Sequence, residues 1–357
     1  MSQIRTCPDL PLLVSALADY PAVRKVALRT PAAMEHKVAL ITTGGTISTL
    51  GAPGGAIPKR GGAELLGALG EAAEGLDVEV IEFAKIPGCE MTPARMAELA
   101  TTISRELSRS DMAGAAVTHG TDTIEESAFF CHLTVAGEKP VVFTGSMRTG
   151  SEPSWDGPRN LLDAIRVARW PQARGCGAML VMNEEIHSAR FVTKGNGLAL
   201  GAFHSPACGP LGRIYNGEPM LFTKPAMARR IVEPKVDTNV LTVTALSGEP
   251  LDTLSQALAR HGLRGLVVAG FGSGRVPLAW VKPLTQAVQD GIAVVLASRT
   301  GAGAVDDPYG YGGAHHLRSM GLVAAHEMPA PKARLKLMLA LGNAMDSPAL
   351  REFFENE

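Results

Sequence analysis

The order of apolar and helical segments constrains the fold of this 357-residue chain more than any other feature. Short runs that are apolar throughout alternate with longer stretches of helical periodicity. Such runs are typical of strands buried on both faces, and their alternation with helices is typical of parallel sheets. The predicted strands are Val38–Ile41, Val78–Phe83, Ala113–Val117, Val141–Phe143, Met179–Met182, Val240–Val243, Leu266–Val268 and Ile292–Leu296. The sequence therefore predicts an α/β protein with a mainly parallel sheet.

Helices are predicted between these strands. Thr92 precedes Pro93 at the start of one of them, which is the usual N-cap and first-turn pattern. The predicted helices are Gly61–Ala73, Pro93–Leu107, a helix from Asp122, Gly157–Ala168, Leu251–His261, Leu278–Gln289 and Lys332–Asn343. A polar stretch at 224–238, which contains prolines and lacks clear periodicity, predicts a linker. We therefore expect an N-terminal extension (1–34), a larger N-terminal α/β domain (35–223) and a smaller C-terminal α/β domain (239–357).

Composition excludes several classes of protein. The 34 Lys and Arg residues nearly balance the 35 Asp and Glu residues, so we expect no nucleic-acid partner. No apolar run reaches the roughly 18–20 residues that cross a bilayer, so we expect no membrane span. Five scattered cysteines without a C-x-x-C pair favour a cytoplasmic compartment and argue against a disulfide framework or zinc site. Leu10–Ala18 is interpreted as an amphipathic helix, with a secretory segment as the alternative.

Three polar loops follow predicted strands, where ligands bind in α/β sheets. The first loop is Thr43–Ile47 (TGGTI), the second is Thr118–Thr123 (THGTDT), and the third is Thr144–Arg148 (TGSMR). The first loop combines two glycines, which permit a sharp turn, with the hydroxyl of Thr46, a potential nucleophile. It lacks the lysine and the spacing of a phosphate-binding loop.

Each loop taken singly also has an ordinary structural interpretation. The first is compatible with a plain glycine turn. In the second, Thr121 or Asp122 is a candidate helix cap, because short polar side chains commonly bond the free N–H groups of a helix start. After the third, Asp156 is a candidate cap for the next helix, with Pro158 in its first turn.

Taken together, the loops resemble a known family. TGGTI, HGTDT, GSMR and the following S-x-D-G-x-x-N-L (154–161) are similar to motifs of the L-asparaginase family of threonine amidohydrolases. Similar motifs continue at 269–274, 298–301 and 332–335, so the resemblance covers about residues 37–357. It implies hydrolysis of the side-chain amide of L-asparagine, or of a related small amide, to the acid and ammonia. It also implies no metal or cofactor, and a homodimer or homotetramer whose site is completed between subunits.

The resemblance also implies residue roles. Thr46 is the expected nucleophile, forming an acyl-enzyme and releasing ammonia. Thr121 and Asp122 form the second catalytic group, in which Thr121 orients or activates water and Asp122 binds the substrate's amino group. Backbone N–H groups near Thr46 and Thr121 are expected to stabilise the oxyanion. The expected substrate-binding residues are Gly45, Gly88, Cys89, Gly120 and Ser146.

Several positions depart from the family pattern. The loop Ser48–Gly62 has no tyrosine, although the family has one there that assists the nucleophile. Gly88 and Cys89 stand where a Ser-Gln pair grips the substrate's α-carboxylate. Ser273 stands where an asparagine of a neighbouring subunit contacts substrate. Cys89 is interpreted as a buried structural cysteine, because no histidine partner lies nearby in the sequence.

The catalytic lysine of the family is another expected departure. The position expected for it, after the S-x-D-G-x-x-N-L helix, aligns with Pro171. Arg169 lies nearby but cannot act as a general base, because a guanidinium group does not give up its proton in proteins. Lys194 is assigned to a different family motif. The sequence therefore predicts a site without the lysine that accepts a proton from Thr121.

Three functions are compatible with these observations. The first is an asparaginase-like amidohydrolase. The second is a hydrolase of the same fold that acts on another amide or a cyclic amide, which the loss of the Ser-Gln pair favours. The third is a catalytically silent homologue that binds a small metabolite. The presence of Thr46, Thr121 and Asp122 together argues against this third function.

Overall fold

An eight-stranded sheet forms the centre of the N-terminal half in the computed structural model, which describes residues 37–51, 55, 57–226 and 230–355. The predictions for the extension 1–34 and for Leu10–Ala18 lie outside the described residues. The strands of this half, in chain order, are β1 (Lys37–Gly44), β2 (Thr49–Leu50), β3 (Ile57–Pro58), β4 (Val78–Ile86), β5 (Met112–Thr118), β6 (Val141–Thr144), β7 (Ala178–Met182), β8 (Glu185–Ser188), β9 (Thr193–Lys194), β10 (Phe203–His204), β11 (Gly212–Tyr215) and β12 (Glu218–Leu221).

The large sheet has the strand order β12-β11-β8-β7-β6-β5-β1-β4. Strands β4, β1, β5, β6 and β7 run parallel to one another, and β8, β11 and β12 extend the sheet beyond β7 in antiparallel pairing. The parallel part places the carboxyl ends of β1, β4, β5 and β6 along one edge of the sheet. The mainly parallel sheet predicted from the sequence is confirmed, whereas the antiparallel extension was not predicted.

Helices cover this sheet and its smaller counterpart. They are α1 (Gly62–Gly67), α2 (Pro93–Leu107), α3 (Ile124–Thr134), α4 (Gly157–Arg169), α5 (Leu251–Leu258), α6 (Leu278–Gln289), α7 (Ala314–Ser319), α8 (Ala330–Gly342) and α9 (Ser347–Glu355). Thr92 caps α2 as predicted, because its Oγ1 accepts a hydrogen bond from the N–H of Arg95 at 3.3 Å. The single helix predicted over Gly61–Ala73 is wrong: α1 ends at Gly67, and a separate 3₁₀ turn follows at Gly70–Ala73.

The C-terminal half contains a smaller parallel sheet. Its strands are β13 (Val240–Thr244), β14 (Gly265–Gly270), β15 (Ala293–Ser298) and β16 (Val323–Ala324), in that order. Every pair of neighbours is parallel. The predicted fold class, a larger α/β part followed by a smaller one, is therefore confirmed. The exact domain boundaries at 223 and 239 stay a prediction.

One apolar core joins the two halves of the described chain. Phe129 and Phe130 of α3 belong to the same buried cluster as Leu335 and Met338 of α8. All four side chains are essentially inaccessible to water, and α3 packs directly on α8. Because α3 begins directly after the second loop, the C-terminal half is packed against the helix that follows Thr121 and Asp122.

Candidate active site

The first loop turns sharply where β1 ends. Gly44 and Gly45 have φ values of 104° and 77°, a region that residues with a β-carbon rarely adopt. A β-carbon on Gly45 would lie 2.3 Å from the Cα of Gly120 in the second loop. The turn places Thr46 at the start of a 3₁₀ turn that runs to Ser48. The two glycines therefore let the first loop touch the second and set Thr46 at the contact.

The second loop lies between the first loop and the segment after β4. A β-carbon on Gly120 would lie 2.5 Å from the Cα of Gly88, and the hydroxyl of Thr123 donates to the carbonyl of Gly88 at 2.7 Å. Gly45, Gly120 and Gly88 are thus packed backbone against backbone. Because Thr121 directly follows Gly120, the structure brings the predicted glycines together with the segment that carries Thr121. Substrate binding by these residues stays a prediction.

Thr121 and Asp122 differ in their exposure to solvent. Thr121 is 5% exposed, whereas the side chain of Asp122 is 65% exposed. The N-cap of α3 is Thr123, so the alternative in which Thr121 or Asp122 caps this helix is wrong. Both side chains instead contact one lysine: Lys194 Nζ lies 3.0 Å from Thr121 Oγ1 and 3.0 Å from Asp122 Oδ1.

The sequence predicted a site without a lysine beside Thr121. That prediction is wrong, because Lys194 lies in contact with Thr121. Lys194 lies on β9, which pairs with β10 in a short antiparallel hairpin opposite Phe203. Its backbone N–H donates to Glu125 Oε2 of α3 at 2.7 Å, and its side chain is 17% exposed. A neutral lysine amine in contact with a hydroxyl can accept the hydroxyl's proton. The geometry thus assembles a hydroxyl, an amine and a carboxylate within hydrogen-bonding distance.

The S-x-D-G-x-x-N-L motif supports the third loop. Asp156 stands at the N-cap position of α4, as predicted, but its carboxylate accepts no capping hydrogen bond from the backbone N–H groups of that helix. It accepts hydrogen bonds from the N–H groups of Met147 and Arg148, both at 3.0 Å. Asn160 donates to the carbonyl of Gly145 and to Asp156, each at 3.0 Å. These bonds fix the backbone of the third loop beside the second.

Other predicted site residues have local partners. The Gly45 N–H donates to the carbonyl of Ile86 at 2.9 Å, so oxyanion donors must come from other amides. The Ser146 hydroxyl is buried and donates to the carbonyl of Arg148 at 2.7 Å. The interpretation of Cys89 as a buried structural residue is wrong, because this free cysteine is exposed. Its exposed position follows directly after Gly88, which packs on the second loop.

Ser273, in the C-terminal half, and His119, in the second loop, each have a hydrogen-bond partner in the structure. The Ser273 hydroxyl donates to Asp307 Oδ2 at 3.1 Å. His119 is fully buried, and its Nδ1–H donates to the carbonyl of Gly120 at 2.8 Å, since a carbonyl can only accept. Burial lowers the pKa of His119 to about 4. His119 is therefore neutral near pH 7 and supports the second loop.

No metal cluster is found in the described ranges: no three His, Cys, Asp or Glu side chains there lie close enough together to hold an ion. Within the same residues, no helix combines the length and the apolar character that a bilayer crossing requires.

Known proteins match both halves of the chain. The family model described as "Asparaginase, N-terminal" matches residues 37–227, and that described as "Glutaminase/Asparaginase C-terminal domain" matches residues 239–354. With the fold and the site, these matches define an asparaginase-like amidohydrolase. The chain belongs to the asparaginase family, as its motifs predicted.

Individual relatives agree with this assignment. The chain is 38% identical over 323 residues to a probable L-asparaginase of Deinococcus radiodurans, covering 89% of this chain and 97% of that relative. It is 34% identical over 335 residues to a probable periplasmic L-asparaginase of Haemophilus influenzae, covering 89% and 92%. The solved structure of a probable cytoplasmic L-asparaginase from Campylobacter jejuni has a TM-score of 0.80 and 30% identity, and the match covers 90% of this chain and all of that one.

Proposed function

We propose that the protein hydrolyses the side-chain amide of L-asparagine to aspartate and ammonia through a Thr46 acyl-enzyme. The observation that carries this proposal is the contact of Lys194 Nζ with Thr121 Oγ1 at 3.0 Å, on a loop that packs against the one bearing Thr46. A hydroxyl next to an amine is an activated hydroxyl, which hydrolysis of an amide requires.

The proposed reaction has two halves. In the first, Thr46 Oγ attacks the amide carbon and the C–N bond breaks, while the hydroxyl proton that Thr46 loses is transferred to the leaving nitrogen, which departs as ammonia. In the second, a water oxygen attacks the Thr46 ester. Thr121 takes a proton from this water and passes its own to the Lys194 amine, while Thr46 Oγ leaves and regains the proton that Lys194 took up. Asp122 binds the substrate's amino group. Backbone amides other than that of Gly45 stabilise the oxyanion.

Ammonia release from L-asparagine tests this mechanism. We expect Thr46→Ala to abolish hydrolysis with the fold intact, and Thr121→Ala to lower kcat on the order of 10²-fold or more, the usual contribution of a general acid–base group. Thr101→Ala is the matched control, because Thr101 is an exposed threonine of α2 whose hydroxyl donates to the carbonyl of Ala97 in its own helix. Activity of Thr46→Ala within a few-fold of wild type would contradict the mechanism.

A second candidate is hydrolysis of an amide that lacks a free α-carboxylate. Gly88 packs on Gly120, immediately before Thr121, so the segment 88–89 borders the proposed site without the two side chains that the family uses as a carboxylate clamp. A panel that compares L-asparagine with the same compound carrying an esterified or amidated α-carboxylate separates the candidates. Faster turnover of the blocked compounds favours the second function, and faster turnover of L-asparagine favours the first.

We also propose a cytoplasmic homo-oligomer with closed symmetry, a dimer or tetramer, whose C-terminal halves complete the sites of facing subunits. The family resemblance supports the oligomer, and five scattered cysteines without a C-x-x-C pair support the cytoplasmic compartment. Light scattering at micromolar concentration should give a multiple of the 37.4 kDa chain mass. A fully active monomer would contradict the shared site. Fractionation of cells should place the protein with cytoplasmic markers, and recovery in an exported fraction would contradict that compartment.

A further inference from the structure

A buried lysine of the C-terminal half binds the backbone just before Lys194. Lys332, on α8, is fully buried. Its ammonium donates to the carbonyls of Ala189 at 2.8 Å and Arg190 at 3.1 Å, and also to that of Val192. The ring of Phe129 lies 5.7 Å from its Nζ. A buried ammonium is costly unless it is well hydrogen bonded, so these carbonyls and Lys332 hold each other in place.

The bound carbonyls belong to the turn that delivers Lys194 to the site. Residues 189–192 connect β8 to β9, and the N–H groups of Phe191 and Val192 close the turn on the carbonyl of Ser188. Lys194 follows Val192 by two residues. Lys332 therefore fixes the turn on one side of Lys194, while Glu125 binds the N–H of Lys194 itself.

We propose that Lys332 is a positioning residue, which holds Lys194 Nζ against Thr121 by organising the carbonyls of the turn 189–192. The proposal rests on the proposed function, in which Lys194 accepts a proton from Thr121. It assigns α8 a part in the active site of its own chain. Without the ammonium, three carbonyls lose their donor and the turn relaxes. A displacement of a catalytic group by about 1 Å can cost on the order of 10²-fold in rate.

The same helix supplies a matched control. Lys336 lies four residues after Lys332 on α8 and is equally buried. Its Nζ lies over the rings of Phe353 and Phe354, at 4.6 and 4.9 Å from their centroids, on the side of α9. A Lys336→Met change therefore removes the same charge from the same helix without removing a donor to the turn 189–192.

The experiment is a double-mutant cycle on the full-length protein. The variants are Lys332→Met, Lys336→Met, Lys194→Met and the Lys332→Met/Lys194→Met pair, each assayed for kcat and KM by ammonia release from L-asparagine. For Lys332→Met we expect kcat to fall on the order of 10²-fold and KM to change by less than about threefold. For Lys336→Met we expect kcat within about threefold of wild type. In the Lys194→Met background, removal of Lys332 should cause no further loss, because its effect acts through Lys194.

The outcomes separate this inference from the function on which it rests. If Lys194→Met keeps the wild-type kcat, the proposed role of Lys194 fails and the inference with it. If Lys194→Met is impaired but Lys332→Met is not, only the inference fails. An equal loss from Lys332→Met in both backgrounds, or an equal loss in Lys336→Met, assigns Lys332 a general structural role and overturns the proposal. If Lys332→Met does not fold, Lys332→Gln, which keeps two N–H donors, replaces it, and its kcat and KM are compared in the same two backgrounds.

Discussion

A single methyl group added at Gly120 should damage the site, because this glycine lies between two other loops. Gly120 does not have a positive φ, so alanine is compatible with its backbone conformation. The obstacle is the neighbouring chain: the new β-carbon would lie 2.5 Å from both the Cα and the N of Gly88. Gly120→Ala therefore tests the close packing of the loops separately from any need for glycine dihedrals.

The expected magnitude follows from this contact. Ordinary van der Waals contact between such atoms begins at about 3.5 Å, so the backbones of Gly88 and Gly120 must separate by about 1 Å. Overpacking of this kind costs about 1–3 kcal/mol of stability. Because Thr121 directly follows Gly120, it moves with the displaced backbone. A shift of about 1 Å at a catalytic group predicts a fall in kcat on the order of 10²-fold.

Two measurements check this prediction: kcat from ammonia release, and the free energy of unfolding from urea titration. The control is Gly67→Ala, at the exposed C-terminal end of α1, where a β-carbon meets no described atom within 4 Å. That variant should keep the wild-type kcat. A kcat for Gly120→Ala within about threefold of wild type would show that the loops tolerate separation, and would refute the reasoning.

Three further predictions concern affinity, pH and the third loop. The wild-type enzyme should have a millimolar KM for L-asparagine. The double change Gly88→Ser with Cys89→Gln should lower this KM by about 10-fold or more, because each regained charge-assisted hydrogen bond contributes about 1.5–3 kcal/mol. A micromolar KM of the wild-type enzyme would refute this prediction. Burial lowers the pKa values of His119 and His132 to about 4, against about 6.5 when unfolded, so between these values the unfolded chain binds more protons. The free energy of unfolding should keep this contribution in full above about pH 6.5 and should lose it as the pH falls towards 4, by about 3 kcal/mol per histidine. Urea unfolding with no pH dependence in this range would contradict the prediction. Asp156→Ala should lower the free energy of unfolding by about 2–4 kcal/mol, because two backbone N–H groups lose a charged acceptor, and Asp156→Asn should lower it by less. Equal unfolding midpoints for the wild type and both variants would argue against the role of this carboxylate.

The affinity prediction for Gly88→Ser and Cys89→Gln depends on a structural detail. A β-carbon on Gly88 would lie 3.0 Å from the carbonyl oxygen of Gly120, a contact that requires a small backbone shift. Cys89 is exposed and has no such restriction. Cys89→Gln alone should therefore recover most of the affinity, and a gain from Gly88→Ser alone that exceeds it would contradict this assignment.

Local signals in the sequence were sufficient for the parallel strands, most of the helices and the polar loops of the first half. Buried runs such as that of β5 indicated parallel strands, because a strand covered on both faces needs apolar side chains on both. Thr92 and Pro93 marked the start of α2. The resemblance of two short motifs to those of the asparaginase family indicated Thr46 and Thr121, and each motif spans only a few consecutive residues. All of these inferences used residues that are neighbours in the chain.

The remaining features depend on contacts between distant parts of the chain. Lys194 reaches Thr121 across 73 residues, and Lys332 reaches the turn before Lys194 across more than 140. No spacing rule predicts such pairs, because a side chain and its partner can lie on any two elements that the fold packs together. The role of Asp156 was decided in the same way: its residue type suits a helix cap, but the packed third loop presents two N–H groups to it. The sequence by itself determined the parallel strands, the fold class and the threonine loops. Only the tertiary structure decided which lysine stands beside Thr121, because packing rather than sequence distance brings the two together.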